Sequence, residues 1–543
     1  MIFTQVHMTD RIHAIIGALL ICLFSGDQAF ADAPDVKALN PSGAQVGQAT
    51  TVKVIGKAGT APVEGWCDRA GVEIAVGEDP SELTVTVDAA VAPGLCWIRL
   101  HNAEGASALR PFMLGLLPEV TEEEPNNAVT DAKPVDASGT TINGVLHKGG
   151  EVDTFAVPLA AGQTLVASVE SHRSFAGPMD GVLQVLSPLG FVLRQNDDDR
   201  GFDPQIVYTA VEDGTHYVRV FAFPAAPNST IGFAGGAEYL YRLTVTTGPF
   251  IDHTLPLTIS DAPTPLAVHG WNLPDDGEPV TVDLNGPHPA AVLPHPSTWE
   301  ILRMPRSSGS ALVEPVADVV SPPLSVSGVI ANPGEIDHYR LQLTKGQVLD
   351  VQVAARLFGS HLDPMLRITD AEGKQLQELD DIDRSNADIK STYTAPADGE
   401  YGFAVRDRFS HGGERYAYAL VVTPQTPDYS LSVDSDRFVL KSGTPLEVPV
   451  TIARVAKYAP EITFSIDGLP DGVTLAEAKS LPEGDTAGKV TLKLEAPAGT
   501  AFSGPITIRG TSSEETPTIR TATAALIGVP ARIDAVWLNI TPE

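Results

Sequence analysis

Basic residues are scarce in this chain. Lys and Arg number 36 against 68 Asp and Glu, a formal net charge of −32 across 543 residues. A partner held through its phosphates needs a basic surface, so nucleic acid is excluded and anionic membrane surfaces are disfavoured. Aromatic residues make up only 6%, too few for the aromatic-lined cleft that a polysaccharide hydrolase needs. No Gly-x-Ser-x-Gly elbow, His-Glu-x-x-His pair or Gly-x-x-x-x-Gly-Lys loop occurs. The 13 histidines are scattered, and His147, His172 and His216 read as structural side chains. No catalytic residue is assigned, and the chain is expected not to be an enzyme.

Long apolar runs are missing beyond residue 31. Before it, Arg11 and His13 precede an apolar stretch over 14–24, and Ala29-Phe30-Ala31 follows as a small-x-small cleavage pattern. Residues 1–31 therefore read as a signal peptide, too short to span a bilayer. The mature chain is expected to lack an integral membrane span and to be secreted, periplasmic or on the cell surface. Of three cysteines, Cys22 leaves with the leader. Cys67 and Cys96 remain, and an oxidising compartment favours a disulfide between them, with two buried free thiols as the other reading.

Glycine and proline are abundant, 48 and 44 residues, and they punctuate short elements. No segment keeps a 3.6-residue period. Period-two alternation recurs instead, as in Thr51-Val-Lys-Val-Ile55 and Leu83-Thr-Val-Thr-Val87. The fold class is all-β, a string of β-sandwiches.

One stretch occurs twice. Glu151-Val-Asp153-Thr-Phe155 answers to Glu335-Ile-Asp337-His-Tyr339, and Ala161-Gly-Gln163 to Lys345-Gly-Gln347. Asp180 answers to Asp363, the pair Asp197-Asp198 to Asp380-Asp381, and Asp213-Gly-Thr-His-Tyr217 to Asp398-Gly-Glu-Tyr401. Ordered landmarks at a near-constant offset indicate a duplicated domain.

These landmarks, with Glu122-Glu-Glu124-Pro-Asn126-Asn127 ahead of the first copy, resemble the bacterial pre-peptidase C-terminal (PPC) domain. The stretch from Ile98 to Phe112 resembles the last strands of immunoglobulin-like domains of the TIG kind. The whole arrangement is similar to secreted planctomycete proteins. The resemblance implies two jelly-roll PPC-like domains among immunoglobulin-like ones. Expected boundaries are 32–117 (immunoglobulin/TIG-like), 118–249 (first PPC-like), 250–318 (small immunoglobulin-like spacer), 319–425 (second PPC-like) and 426–543 (C-terminal immunoglobulin-like). It also implies a non-catalytic binding or scaffold protein whose jelly rolls contact an extracellular polysaccharide or protein. An accessory or inactive relative of a secreted hydrolase is the alternative.

Calcium takes six to eight oxygens from carboxylates and carbonyls. Residues 122–127 offer both within one short segment. The family's calcium-binding members imply a ligand set of Glu122, Glu124, Asn126, Asn127, Glu151 and Asp153. Asn127 and Glu151 depart from the family, which often has Asp at both positions. The second copy lacks the acidic Pro-Asn segment before Glu335, so no such site is expected there. Asp197, Asp198 and Asp203, with Asp380 and Asp381, form possible second cation loops or plain Asx-turn hairpins.

Overall fold

The structure is a computed structural model. It describes residues 32–227, 232–260, 264–274, 280–282, 290–294, 301–383, 386–526 and 531–542. The expected signal peptide lies outside these residues. Short strands and turns make up nearly all of it, and the longest helix is the single turn His172–Phe175. No helix among the described residues is long and apolar enough to cross a membrane.

The first module packs two sheets face to face. One runs in the order Asp35–Asn40, Ala49–Lys57, Glu82–Val87, Val72–Val76, and the other is built on Gly94–Asn102 and Arg110–Gly115. Strand Glu82–Val87 alternates exposed and buried without a break. Its Leu83, Val85 and Val87 meet Ile98, Leu100 and Phe112 of the opposite sheet. The expected disulfide is not formed. Cys67 and Cys96 are free thiols, and Cys96 Sγ donates to the Phe112 carbonyl at 3.3 Å. Strand pairing sets Cys67 opposite Ile98, diagonal to Cys96, and the two sulfurs lie within 4.8 Å of each other.

Two further modules share one strand order, element for element. In the first, one sheet reads Glu119–Thr121, Thr140–Val145, Leu240–Thr246, Thr164–Glu170, Gln205–Thr209. The other reads Lys133–Pro134, Asp153–Leu159, Gly214–Pro224, Met179–Leu186, Val192–Asn196. In the second module the corresponding sheets begin with Ser310–Val313 beside Leu324–Val329, and Val319–Val320 beside Ile336–Leu343. Valine and leucine from both sheets interdigitate, Val157, Leu183 and Val218 against Leu165, Ala167 and Leu243 in the first.

The opening strands are parallel edge strands. In each module the chain therefore starts on one sheet and crosses to the other over an open end of the sandwich. Residues 122–132 make this crossing in the first module and residues 314–318 in the second. The second module thus begins at Ser310, earlier than the expected boundary at 319. A four-residue, half-buried edge strand has too little alternation to be read from sequence.

The described residues between 250 and 305 form a smaller set of strands, and the last module is one large folded-over sheet reaching Thr541. The modules are joined by buried ion pairs. Arg415 of the second duplicate reaches Asp199 of the first at 2.8 Å and Asp252 of the spacer at 3.0 Å, with its guanidinium over the Trp271 ring. Burial pushes Asp199 upward, yet its bonds to Arg415 and His361 prevail and hold it down at about 2. Arg99 of the first module, 1% exposed, pairs with Asp436 of the last at 2.9 Å. Around it Trp97, Leu109 and Leu526 form an apolar cluster. Removing one member of a buried ion pair strands the other charge. Asp436→Ala is expected to destabilise the junction of first and last modules by about 3–5 kcal/mol, read as a lower unfolding midpoint of the last module and faster proteolysis at 425–427.

Candidate metal centre

The crossing segment of the first duplicate brings its acidic residues over the end of the sandwich. Strand Glu119–Thr121 pairs with Thr140–Val145, and the pairing continues as Glu122 N–H donates to the Asn143 carbonyl. Glu122 then turns its carboxylate inward, where Oε1 accepts the Val145 N–H. From the other sheet, Asp153 opens its strand with its side chain fully buried. Tyr241 rises from the strand beside Gly144. Its hydroxyl lies 2.6 Å from Asp153 Oδ2 and 3.2 Å from Glu122 Oε2. Only glycine fits at 144, because a Cβ there would overlap the Tyr241 ring.

Glu122, Glu124 and Asp153 place one carboxylate oxygen each within 4.8 Å of one another. Calcium–oxygen distances are about 2.3–2.6 Å, so two ligands on opposite sides of one ion are about 5 Å apart. Asn126 is completely buried. Its Nδ2 donates to Glu122 Oε2 at 3.3 Å, and its Oδ1 has no hydrogen-bond partner. Asp153 Oδ1 is likewise buried and unpartnered. Buried acceptors left without a donor cost free energy, and a cation is the partner that suits acceptor-only atoms.

The remaining candidates stand one step back. Glu151 is buried, and its Oε2 accepts the Lys148 N–H at 2.9 Å. Asn127 is exposed, and its Oδ1 accepts the Val152 N–H at 3.2 Å, tying the crossing segment to Asp153's strand. The electrostatics are those of negative charge crowded without a counter-charge. Burial, then the Glu122 carboxylate, pushes Asp153 up to about 9. Burial and the neighbouring Glu151 raise Glu124. Burial, then Asp153, raises the Tyr241 phenol.

Residues 151–222 match the family model of the bacterial pre-peptidase C-terminal domain, PPC. The matched stretch begins at Glu151 and Asp153. The chain is also similar to the PPC domain of a collagenase from Bacillus anthracis, at 12% identity over 20% of this chain and 93% of that one, TM-score 0.16. Fibronectin(III)-like modules of CbhA from Clostridium thermocellum align at 12% identity over 38% of this chain and 90% of theirs, TM-score 0.12. The M60 catalytic domain with two CBM51 domains of Clostridium perfringens ZmpB aligns at 9% identity over 74% and 55%, TM-score 0.14. No curated protein matches.

Beyond the matched PPC stretch, the second duplicate has more of the site than its sequence suggests. Glu314 N–H donates to the Ser327 carbonyl and Glu314 Oε1 accepts the Val329 N–H, the same two bonds that fix Glu122. Tyr418 and Asp337 stand where the PPC module has Tyr241 and Asp153. Glu124 and Asn126 have no counterparts in its shorter crossing. Glu314 is not legible as the counterpart of Glu122 in sequence, because the shorter crossing of residues 314–318 lacks the acidic Pro-Asn run and follows an edge strand that reads as part of the spacer. Nothing in the sequence marks Tyr241, whose part depends on strand pairing with Gly144.

The second acidic loops divide. Asp197 and Asp198 face Asp180, whose carboxyl burial and those two charges push up to about 6. Asp203 does not join them. Its carboxylate accepts the backbone N–H groups of His172 and Arg173, at 2.7 and 3.0 Å, and caps that one-turn helix. Asp380 and Asp381 approach Asp363, but both pair with the Arg408 guanidinium. Phe223 occupies the Arg408 position in the PPC module.

The raised Asp153 gives a pH signature. Its folded value lies above the unfolded value of about 3.9, so the neutral form favours the folded, cation-free chain. That stability is fully present below about pH 4 and is lost as pH rises through about 9. In chelator, the unfolding midpoint of the PPC module is expected to fall with rising pH across this window, by up to about 1.4 kcal/mol per unit. Asp153→Asn is expected to flatten the slope; an unaltered slope would remove Asp153 as its source.

Proposed function

We propose that the protein is a non-catalytic, exported, multidomain binding or scaffold protein whose PPC module holds a calcium ion. Glu122, Glu124 and Asp153 supply carboxylate oxygens and Asn126 Oδ1 an amide oxygen. Glu151 and Asn127 complete or orient the shell. The observation that carries this reading is the pair of buried, unpartnered acceptors, Asn126 Oδ1 and Asp153 Oδ1, in one cluster with Glu122 and Glu124. Calcium resolves both strains in the site, because it neutralises the crowded carboxylates and occupies the bare acceptors. The five β-modules, divided near 117, 249, 309 and 425, then act as a jointed carrier, and the partner is an extracellular polysaccharide or protein.

Calcium binds the folded state alone in this reading, so it must raise the unfolding midpoint of the full chain. At a hundredfold excess over Kd the gain is about 2.7 kcal/mol. Glu124→Ala, at an exposed position, is expected to fold normally and lose most of the gain. An equal calcium response in wild type and Glu124→Ala would reject the site. Bound ligands must be deprotonated, so binding is expected to release the Asp153 proton, measurable as calcium-dependent heat that varies with buffer ionisation.

Contact with a polymer is checked separately. The protein is expected to co-sediment with an insoluble polysaccharide or fibrous protein, and absence of binding to a panel of both would reject the partner class.

A further inference from the structure

In the second duplicate the two acids that match Glu122 and Asp153 face a pair of phenols. Tyr418 hydroxyl lies 2.7 Å from Asp337 Oδ2. Tyr339 hydroxyl lies 2.6 Å from the Tyr418 hydroxyl and 3.2 Å from Glu314 Oε2. These four groups make a chain of three oxygen–oxygen contacts, from Asp337 through Tyr418 and Tyr339 to Glu314. Three hydrogen bonds need three hydrogens. The two phenols have one each, and ionised carboxylates have none. With both acids charged, one contact would set two lone pairs against each other in a buried site.

We propose that the Glu314 carboxyl of the second duplicate is a proton-binding site that takes the place of the cation site in the first, with Tyr339 as the residue that closes it. This rests on the reading of the first site as a cation site only for the comparison; the proton itself is counted from the second module's own contacts. The bonds then run one way. Protonated Glu314 donates to Tyr339, Tyr339 donates to Tyr418, and Tyr418 donates to ionised Asp337. The charged end is Asp337, which has His338 beside it as well as the Tyr418 donor. Two carboxyls face Asp337, Glu314 itself and Glu335, and the Glu335 Oε2 is already bonded to the Asn332 N–H. Burial, then the Asp337 charge, pushes Glu314 up to about 7, in the same direction.

The residue that differs between the copies explains the exchange. Position 155 is Phe in the PPC module and has no hydroxyl to offer, so its carboxylates have only Tyr241 between them. Position 339 is Tyr, and its hydroxyl lies between the acid and the second phenol. The crossing segment follows suit, because the short link of residues 314–318 carries no counterpart of Glu124 or Asn126. Gly328, like Gly144, must lack a side chain here, since a Cβ would lie 2.6 Å from the Tyr418 hydroxyl and 2.7 Å from Glu314 Oε2.

Infrared spectroscopy of the full chain, in saturating calcium, tests the proposal. A protonated-carboxyl band is expected that is lost as pH rises through about 7, above the titration of Asp180 at about 6. Glu314→Gln keeps a donor toward Tyr339 and is expected to fold, to lose that band, and to flatten the unfolding profile of the module between about pH 4 and 7. A band of equal intensity in Glu314→Gln, or no band in wild type, overturns the proposal. Tyr339→Phe is the second measurement, should Glu314→Gln not fold. It is expected to shift the band, because the acid loses its phenol acceptor, and an unshifted band likewise overturns the proposal. A failed calcium site would show separately, as a band that persists in calcium and disappears in Asp153→Asn.

Discussion

Two carboxylates cannot be held side by side out of water unless something positive, or a hydrogen, lies between them. The twin sandwiches are built around that constraint. In each, an opening edge strand delivers a glutamate over the end of the barrel-like core, and the strand of the facing sheet delivers an aspartate to meet it. A tyrosine phenol from the central strand rises beneath both, over a glycine that leaves it room. The geometry forces the acids together before any ligand is considered. What fills the gap then decides what each module does.

Comparison of the copies separates scaffold from chemistry. The Glu122/Glu314, Asp153/Asp337 and Tyr241/Tyr418 pairs keep matching backbone bonds and stand at matching places in the strand order. The crossing segment and residue 155/339 differ, and these are the parts that set the counter-charge. Further acidic groups are spent on architecture. Asp203 and Asp388 each cap the first turn after a central strand through backbone N–H groups. Asp199 and Asp252 grip Arg415 between modules. Much of the chain's negative charge therefore has a local task, and composition alone reads it only as solubility.

The fold was legible because Gly/Asp turns bound the short strands and period-two alternation survives in several of them, such as Glu82–Val87 and Lys489–Glu495. The order of the landmarks around Asp153, Gln163 and Tyr217 runs parallel to the strand order that the two sandwiches share. Edge strands were not legible. Ser310–Val313 has one face half-covered, so it carries little apolar pattern, and with it Glu314 was lost to the neighbouring segment. Of the site, the carboxylates could be listed from sequence, since their crowding near Pro125 is local. Tyr241 and Gly144 could not, because their part depends on strands that meet only in three dimensions. Asp203 was grouped with Asp197 and Asp198 by nearness in sequence, whereas the hairpin between them turns it toward His172. Cys67 and Cys96 could be paired from sequence and do meet, with their sulfurs within 4.8 Å of each other, though they are not joined.

The meeting of the first and last modules has a topological result. Asn539 Nδ2 donates to the Asn102 and Ala103 carbonyls, at 3.0 and 3.2 Å, beside the buried Arg99–Asp436 pair. The last module is thus secured twice, once by the peptide linker over 423–427 and once by a non-covalent seam to a module several hundred residues earlier. Cutting the linker alone leaves it docked, as a nicked ring stays closed by its other joint.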